Sequence, residues 1–135
     1  MANGTGAGDP AGRAQRWADA YAAAWRAGDG AAAAELFAED CLMRSHPFRP
    51  LEDARRYTRE AFAIEEDREV WFGVPVVDGD RASMEYWCSM IEDGKDVTLA
   101  GHCLVRLDAD GRCVELRDYW AMQPGRMPPP EPWGR

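Results

Sequence analysis

Between residues 13 and 28 the apolar positions recur with the period of a helix. Trp17, Tyr21, Ala24, Trp25 and Gly28 fall at i, i+4, i+7, i+8 and i+11, one continuous stripe. This predicts a first helix over 13–27, stopped by Gly28-Asp29-Gly30. A short alanine-rich helix is expected over 31–38, with Leu36 and Phe37 as its bulky contacts. A short strand over 41–45 leads into His46-Pro47-Phe48-Arg49-Pro50, a rigid loop because each proline keeps its predecessor out of the helical region. A third helix over 51–66 places Leu51, Ala54, Tyr57, Ala61 and Phe62 on one side and charge on the other.

Beyond residue 70 the period changes to two. Strands are expected over 70–77, with Pro75 marking an edge or bulge, and over 81–91. Asp93-Gly94 is a two-residue hairpin loop, the strongest short hairpin signal. It pairs Met84 with Cys103, Tyr86 with Gly101 and Cys88 with Leu99. A second hairpin fills 97–122, with Asp108-Ala109-Asp110-Gly111 as its turn. If that cluster is the loop, Cys103 faces Leu116, Gly101 faces Asp118, and Leu99 faces Trp120. Both hairpins then put the same apolar residues inside, an agreement that a one-residue slip would destroy. Helices followed by a run of antiparallel strands read as α+β, with the helices packed on one side of a curved sheet.

One carboxylate, Asp118, stands on that inner face, where burial is costly unless the group is paired or employed. Tyr86 lies two strands away in the same row, with only Gly101 between them, so both should border one cavity. Trp25, Met84, Tyr86, Met90, Leu99, Cys103, Leu116 and Trp120 are its expected lining, suited to a small apolar or aromatic molecule.

Composition narrows the function. At 135 residues the chain is long enough for one domain with a real core, and its net charge is −8. That balance argues against nucleic acid and anionic membranes as partners. No apolar run approaches the length of a membrane span, and the first residues lack the charged and apolar regions of a signal peptide, so a cytoplasmic location is expected. Cys41, Cys88, Cys103 and Cys113 each fall in an expected strand and form no CxxC pair, which reads as reduced packing thiols. The expected organisation is a disordered segment over 1–12, a folded domain over 13–122 and an extended Pro-rich tail over 123–135.

Several features in order resemble the nuclear transport factor 2-like superfamily, in particular its SnoaL-like and ketosteroid isomerase-like branches. They are Tyr21 followed by Ala27-Gly28-Asp29, Phe37-Ala38-Glu39-Asp40, Ser45-His46-Pro47-Phe48, and Asp110-Gly111 leading to Asp118-Tyr119-Trp120. The resemblance covers residues 13–120 and implies a cone, three helices closing a strongly bent antiparallel sheet over a deep pocket. It specifies no reaction, since this fold carries many. In ketosteroid isomerases a first-helix tyrosine donates to the substrate oxyanion, a role Tyr21 would match. Their general base is an aspartate just before a proline; here His46 precedes Pro47, with one extra residue in the spacing. Their second donor is a protonated aspartate where this chain has Cys103, a poor donor. SnoaL-like cyclases use an aspartate on the last strand as acid/base, and Asp118 is similarly placed.

The resemblance thus implies catalysis by Asp118, His46 and Tyr21. A bland reading stands beside each. Asp118 can accept bonds from Tyr21, Tyr86 or the Trp25 indole and tie helix to sheet. His46 can cap its loop, and Tyr21 can be core. His102 and Cys103, adjacent on a strand, point to opposite faces and cannot share an ion, and no metal-ligand spacing or phosphate loop is present, so a cofactor-free and metal-free site is expected. On the outer face the same register gives rows Glu85–His102–Arg117 and Trp87–Ala100–Tyr119. The first reads as a charge-paired row; the second, with Leu104 and Ile91, is an apolar patch of the kind that marks an interface, and the resemblance implies a homodimer packed through the sheets, involving Trp87, His102, Leu104 and Tyr119. The leading expectation is a cofactor-independent isomerase, cyclase or lyase. The alternative is a non-catalytic binding or assembly domain. An epoxide-hydrolase-like enzyme ranks lower, because it would want a second carboxylate and an arginine inside the cone, and the strands offer only Asp118, with Arg112 at the rim.

Overall fold

The computed structural model describes residues 9–135. Helix α1, Pro10–Ala27, begins where Asp9 accepts from the Gly12 backbone N–H at 3.3 Å and proline fills the first helical position. Residues 10–12 are therefore helical rather than disordered as expected, and residues 1–8 of that segment lie outside the described residues. Gly28 ends α1 in the left-handed region, with φ 66°, as its position in the stripe required.

Helix α2, Gly30–Ala34, is shorter than expected. Leu36 and Phe37 leave the helix because the sheet claims them: the Leu36 carbonyl accepts from Cys113 N at 2.8 Å and from the Trp17 indole at 2.9 Å, and Phe37 is fully buried. Strand β1, Phe37–Arg44, thus starts four residues before the expected one. The start of the expected third helix is instead strand β2, Leu51–Asp53, and helix α3, Ala54–Ile64, follows with Asp53 capping Arg56 N at 2.9 Å. The expected strand over 70–77 splits at Gly73–Pro75 into β3, Glu65–Phe72, and β4, Val76–Asp78. The long strands are β5, Arg81–Glu92, β6, Lys95–Leu107, and β7, Cys113–Pro124.

These form one curved, unclosed sheet in the order β2-β1-β7-β6-β5-β3, with β4 also paired to β5. The sheet is mixed, not wholly antiparallel, because β1 runs parallel to β7. The helices cover its inner face. Trp17, Phe37, Met43, Met84, Met90 and Val105 are among the large, fully buried side chains between the layers.

The Asp93-Gly94 hairpin has the expected register, with Met84 opposite Cys103 and Tyr86 opposite Gly101. The second hairpin is shifted by two. Cys103 faces Asp118, Gly101 faces Trp120, and Leu99 faces Met122. The turn is longer than the four-residue cluster: Asp108 N bonds Arg112 O at 2.8 Å, and the Asp108 carboxylate takes the N–H groups of Asp110 and Arg112. Leu107 then pairs with Cys113, and the register breaks once more between Arg106 and Leu107. A shift of two keeps every side chain on its expected face. Gly101 is needed here for backbone approach, since a Cβ there would stand 2.7 Å from Trp120 Cα.

On the outer face the rows become Glu85–His102–Tyr119 and Trp87–Ala100–Ala121. Tyr119, not Arg117, meets His102, stacking on it at 5.3 Å. The Pro-rich tail folds back across this face. The Trp87 indole donates to Met127 O at 2.8 Å, Trp133 packs on Trp87, and Val74 N donates to Gly134 O at 2.8 Å. Among the described residues no helix is long and apolar enough to cross a membrane.

Candidate active site

The concave face of the sheet and helices α1 and α3 enclose a cavity of about 610 Å³, a size that holds a drug-sized ligand. Helix α1 presents Tyr21 and Trp25 to it, one turn apart on the stripe that packs inward. The long strands add Tyr86, Met90, Leu99, Cys103, Leu116, Asp118 and Trp120. These positions alternate along each strand, so one face of the sheet supplies them all. Met84, expected among the lining, packs instead in the core beneath it, 1 % exposed.

Asp118 is the chemical centre. Burial raises its pKa from 3.8 to about 7, against the lowering effects of a bond from Tyr86, the Tyr119 backbone N–H and the charge of Arg49. The Tyr86 hydroxyl donates to Asp118 Oδ1 at 2.6 Å. Tyr86 is itself buried, and desolvation together with the Asp118 charge pushes its pKa far up, so it remains a neutral donor. A carboxyl group that titrates near neutrality in an apolar wall can both hold and accept a proton at physiological pH.

Tyr21 reaches the same cavity from α1. It stacks on Trp17 at 4.9 Å and lies edge-on to Phe37 and Phe72. Burial first, and then the charge of Asp118, raise its pKa. Among the described residues no protein group bonds its hydroxyl, which leaves that donor for a ligand. Cys103 also lines the wall, and burial beside Asp118 keeps its thiol protonated.

A second carboxylate, Glu65, sits on the wall at the start of β3, 9 % exposed. The Trp25 indole donates to its Oε1 at 2.8 Å, and Arg68 Nε lies 3.4 Å away. Burial raises its pKa despite these partners. Arg49 forms part of the mouth. Its guanidinium lies over the Trp120 ring at 5.3 Å and donates to Ser45 Oγ at 3.2 Å and to the Tyr57 hydroxyl at 3.4 Å. Trp120 is fixed by its indole, which donates to Ser45 O at 2.6 Å.

Of the three residues expected to catalyse, the cavity brings together Asp118 and Tyr21. His46 stands behind Trp120, edge-on to its ring at 4.9 Å, and its Nδ1 accepts from Phe48 N at 3.4 Å, outside the residues that line the cavity. Arg112 is exposed in the hairpin turn and takes no part in the lining. Sequence reasoning missed Glu65, Arg49 and Tyr57. Glu65 opens the run EEDREV, which reads as the polar end of a helix. Its only signal is the helix boundary at Ile64. Among the described residues no group of three or more His, Cys, Asp or Glu is placed to hold a metal ion.

A cone of three helices over a curved mixed sheet, with its pocket on the concave side, is the nuclear transport factor 2-like architecture. The family model described as SnoaL-like domain matches residues 18–116, and the chain belongs to that family. No curated protein matches the sequence. Solved structures with the same fold include the epoxide hydrolase/cyclase-like enzyme SalBIII, described in pyran ring formation in the polyether salinomycin. It is 16 % identical over 82 % of this chain and 95 % of its own, with a TM-score of 0.71. PrhC from Penicillium brasilianum is 17 % identical over 83 % and 82 % of the two chains, also with a TM-score of 0.71. An LEH-like epoxide hydrolase from M. tuberculosis is 19 % identical over 81 % and 83 %, with a TM-score of 0.66. At such identities these likenesses establish the fold alone.

Proposed function

We propose that this protein is a cofactor-independent enzyme that moves protons on a small, largely apolar molecule, with Asp118 as the acid/base group. The observation that carries this is a single carboxyl group with a pKa of about 7, held at 2.6 Å by Tyr86 on the wall of a ligand-sized cavity. Tyr21 offers its unbonded hydroxyl to an oxygen of the substrate, where negative charge develops when a proton leaves the neighbouring carbon. Asp118 takes that proton and returns it elsewhere, which is the chemistry of isomerisation, aldol-type cyclisation or elimination. His46 serves this site by packing on Trp120 rather than by touching the ligand.

The test is proton exchange. Bound cyclic ketones should exchange the hydrogens beside their carbonyl with deuterated water in the presence of wild type, and mass spectrometry reads the gain. Asp118→Asn should lose at least a hundredfold of this rate, the usual contribution of a positioned acid/base group. Exchange that survives the substitution rejects Asp118 as the base.

Glu65 and Arg49 favour a second reading, epoxide opening, which the sequence had ranked lower for want of a second carboxylate. Here Glu65 would take a proton from the attacking water while protonated Asp118 gives its own to the ring oxygen. One carbon–oxygen bond forms and one breaks. Two of the solved relatives are described as epoxide hydrolases or hydrolase/cyclase-like enzymes. Heavy-oxygen water separates the readings: label in a diol product that is lost in Glu65→Gln supports hydrolysis, while ketone exchange untouched by that substitution supports the first.

We also propose a homodimer through the outer face around His102, Leu104 and Tyr119, in the cytoplasm. The tail already occupies the Trp87 end of that face.

A further inference from the structure

The cavity is apolar within, but its mouth is acidic. Glu60 on α3 and Glu92 and Asp93 at the β5–β6 turn border it, and no ion pair among the described residues neutralises any of the three. Glu52 joins them, shared with Arg56 at 3.5 Å. Among the described residues Arg49 is the one cation on the lining, and its guanidinium, held by the neutral partners Trp120, Ser45 and Tyr57, faces the several acids of the mouth. Deeper in, Glu65 has its own cation in Arg68, whereas the carboxyl of Asp118 is bonded by the Tyr86 hydroxyl and the Tyr119 backbone and feels the charge of Arg49 without an ion pair. A ligand therefore passes a ring of negative charge and reaches a wall bearing another carboxyl group. The Tyr21 hydroxyl, which no group among the described residues bonds, is an oxygen-seeking donor at the end of that path.

We propose that the site takes an uncharged, oxygen-bearing molecule and selects against anions: free carboxylates, phosphate esters and substrates still attached to an anionic carrier. This rests on the proposed function only in placing the ligand in this cavity. The physical reason is additive. Each acid at the mouth repels an entering anion weakly through water, but several on one lip with low-dielectric walls focus the field. An anion that did enter would lose its hydration in an apolar chamber where, among the described residues, Arg49 is the one lining cation and the acids outnumber it. A neutral oxygen incurs neither cost and gains a bond from Tyr21.

The test uses two dyes of one shape. N-phenyl-naphthylamine is neutral, and anilinonaphthalene sulfonate adds a negative charge to it. Both brighten in apolar cavities, so titration at low salt gives both affinities. The neutral dye should bind wild type about tenfold more tightly than the sulfonate. In the triple variant Glu60→Gln, Glu92→Gln, Asp93→Asn that gap should shrink to about threefold or less, with the neutral affinity unchanged. All three residues lie at the mouth, and asparagine tolerates the left-handed φ of 54° at Asp93, so folding is preserved. A sulfonate that binds wild type as tightly as the neutral dye overturns the proposal, as does a gap that the triple variant leaves unmoved or a neutral dye that does not bind. The result is independent of ketone exchange: loss of exchange in Asp118→Asn speaks to the reaction, and the dye gap speaks to the charge of the ligand.

Discussion

The Tyr86 hydroxyl reaches Asp118 across the whole width of an intervening strand, at 2.6 Å. The two residues are not in one row. Tyr86 lies opposite Gly101, and Asp118 lies opposite Cys103, so the bond runs diagonally. It can form because Gly101 puts no side chain in the way. The same glycine lets β7 approach β6 closely opposite Trp120, the residue that the shifted register places in the row where Asp118 had been expected. One missing side chain thus sets both the reach of the tyrosine and the closeness of the strands.

Asp118 makes stability depend on pH in an uncommon direction. Its folded pKa is about 7 against an ordinary 3.8. Between those values the folded chain holds a proton that the unfolded chain has lost, so unfolding releases protons and stability falls as pH rises. The contribution is present in full below about pH 4 and is spent above about pH 7. At about 1.4 kcal/mol per pH unit it reaches at most about 4 kcal/mol. Asp118→Asn removes this slope. Urea unfolding at several pH values should show the variant gaining on the wild type between pH 4 and 7, and overtaking it above neutrality. Parallel curves would mean that the carboxyl group is not desolvated as described.

Removing the Tyr86 donor acts on the same group from the other side. The bond from Tyr86 favours the charged form and so holds the Asp118 pKa down against burial. In Tyr86→Phe the midpoint of Asp118, followed by carbon NMR of its carboxyl group, should move upward from about 7. Above that midpoint the variant should lose about 1.5–3 kcal/mol of stability, the worth of a hydrogen bond to a charged acceptor. A midpoint that falls, or stays, would remove Tyr86 from the site.

How far the sequence led can be judged at particular residues. Asp93-Gly94 set one hairpin to the residue, because a two-residue loop allows one register. Asp108 to Gly111 looked as clear, yet the Asp108 side chain organises a longer turn, and the break beside Leu107 shifts the pairing. Periodicity cannot see such a shift when it is even, because the faces are unchanged. Asp118 and Tyr21 therefore came out inside, although the row of Asp118 was wrong. Glu65 was hidden for the opposite reason. Its inward direction is set where α3 gives way to β3, next to a break in pairing at Asp67, whose φ is 51°. That boundary lies inside a run of charge that carries no period. Arg49 sits in a loop, where only tertiary contacts with Trp120 and Tyr57 aim it.

Gly101→Ala tests the close strand approach directly. The added methyl would stand 2.7 Å from Trp120 Cα and against the Tyr119 carbonyl oxygen. These are backbone atoms of a central strand and cannot swing aside as a side chain would. The two strands must separate, at a cost of about 1–3 kcal/mol or more. Separation also lengthens the diagonal from Tyr86 to Asp118. Thermal unfolding should therefore show a lower midpoint, and the Asp118 titration should move upward as in Tyr86→Phe. A variant as stable as wild type would mean that the strands have room to spare.

The outer face carries the last expectation. The tail covers Trp87 and leaves His102 exposed, Tyr119 37 % exposed and Leu104 half-buried on the other side. A two-fold interface there meets each of these residues twice, so one unfavourable substitution is counted on both subunits. Leu104→Lys places two like charges against an apolar patch. Sedimentation should find the wild type dimeric and the variant monomeric, with the cavity dye binding both equally, because Leu104 faces away from the cavity. The tail gives an internal control. Trp133→Ala removes the ring that packs on Trp87 without adding charge, and it should leave a dimer built around Tyr119 intact. A wild type that sediments as a monomer, or a dimer that survives Leu104→Lys and falls apart in Trp133→Ala, would move the contact from the Tyr119 side of the sheet to the tail.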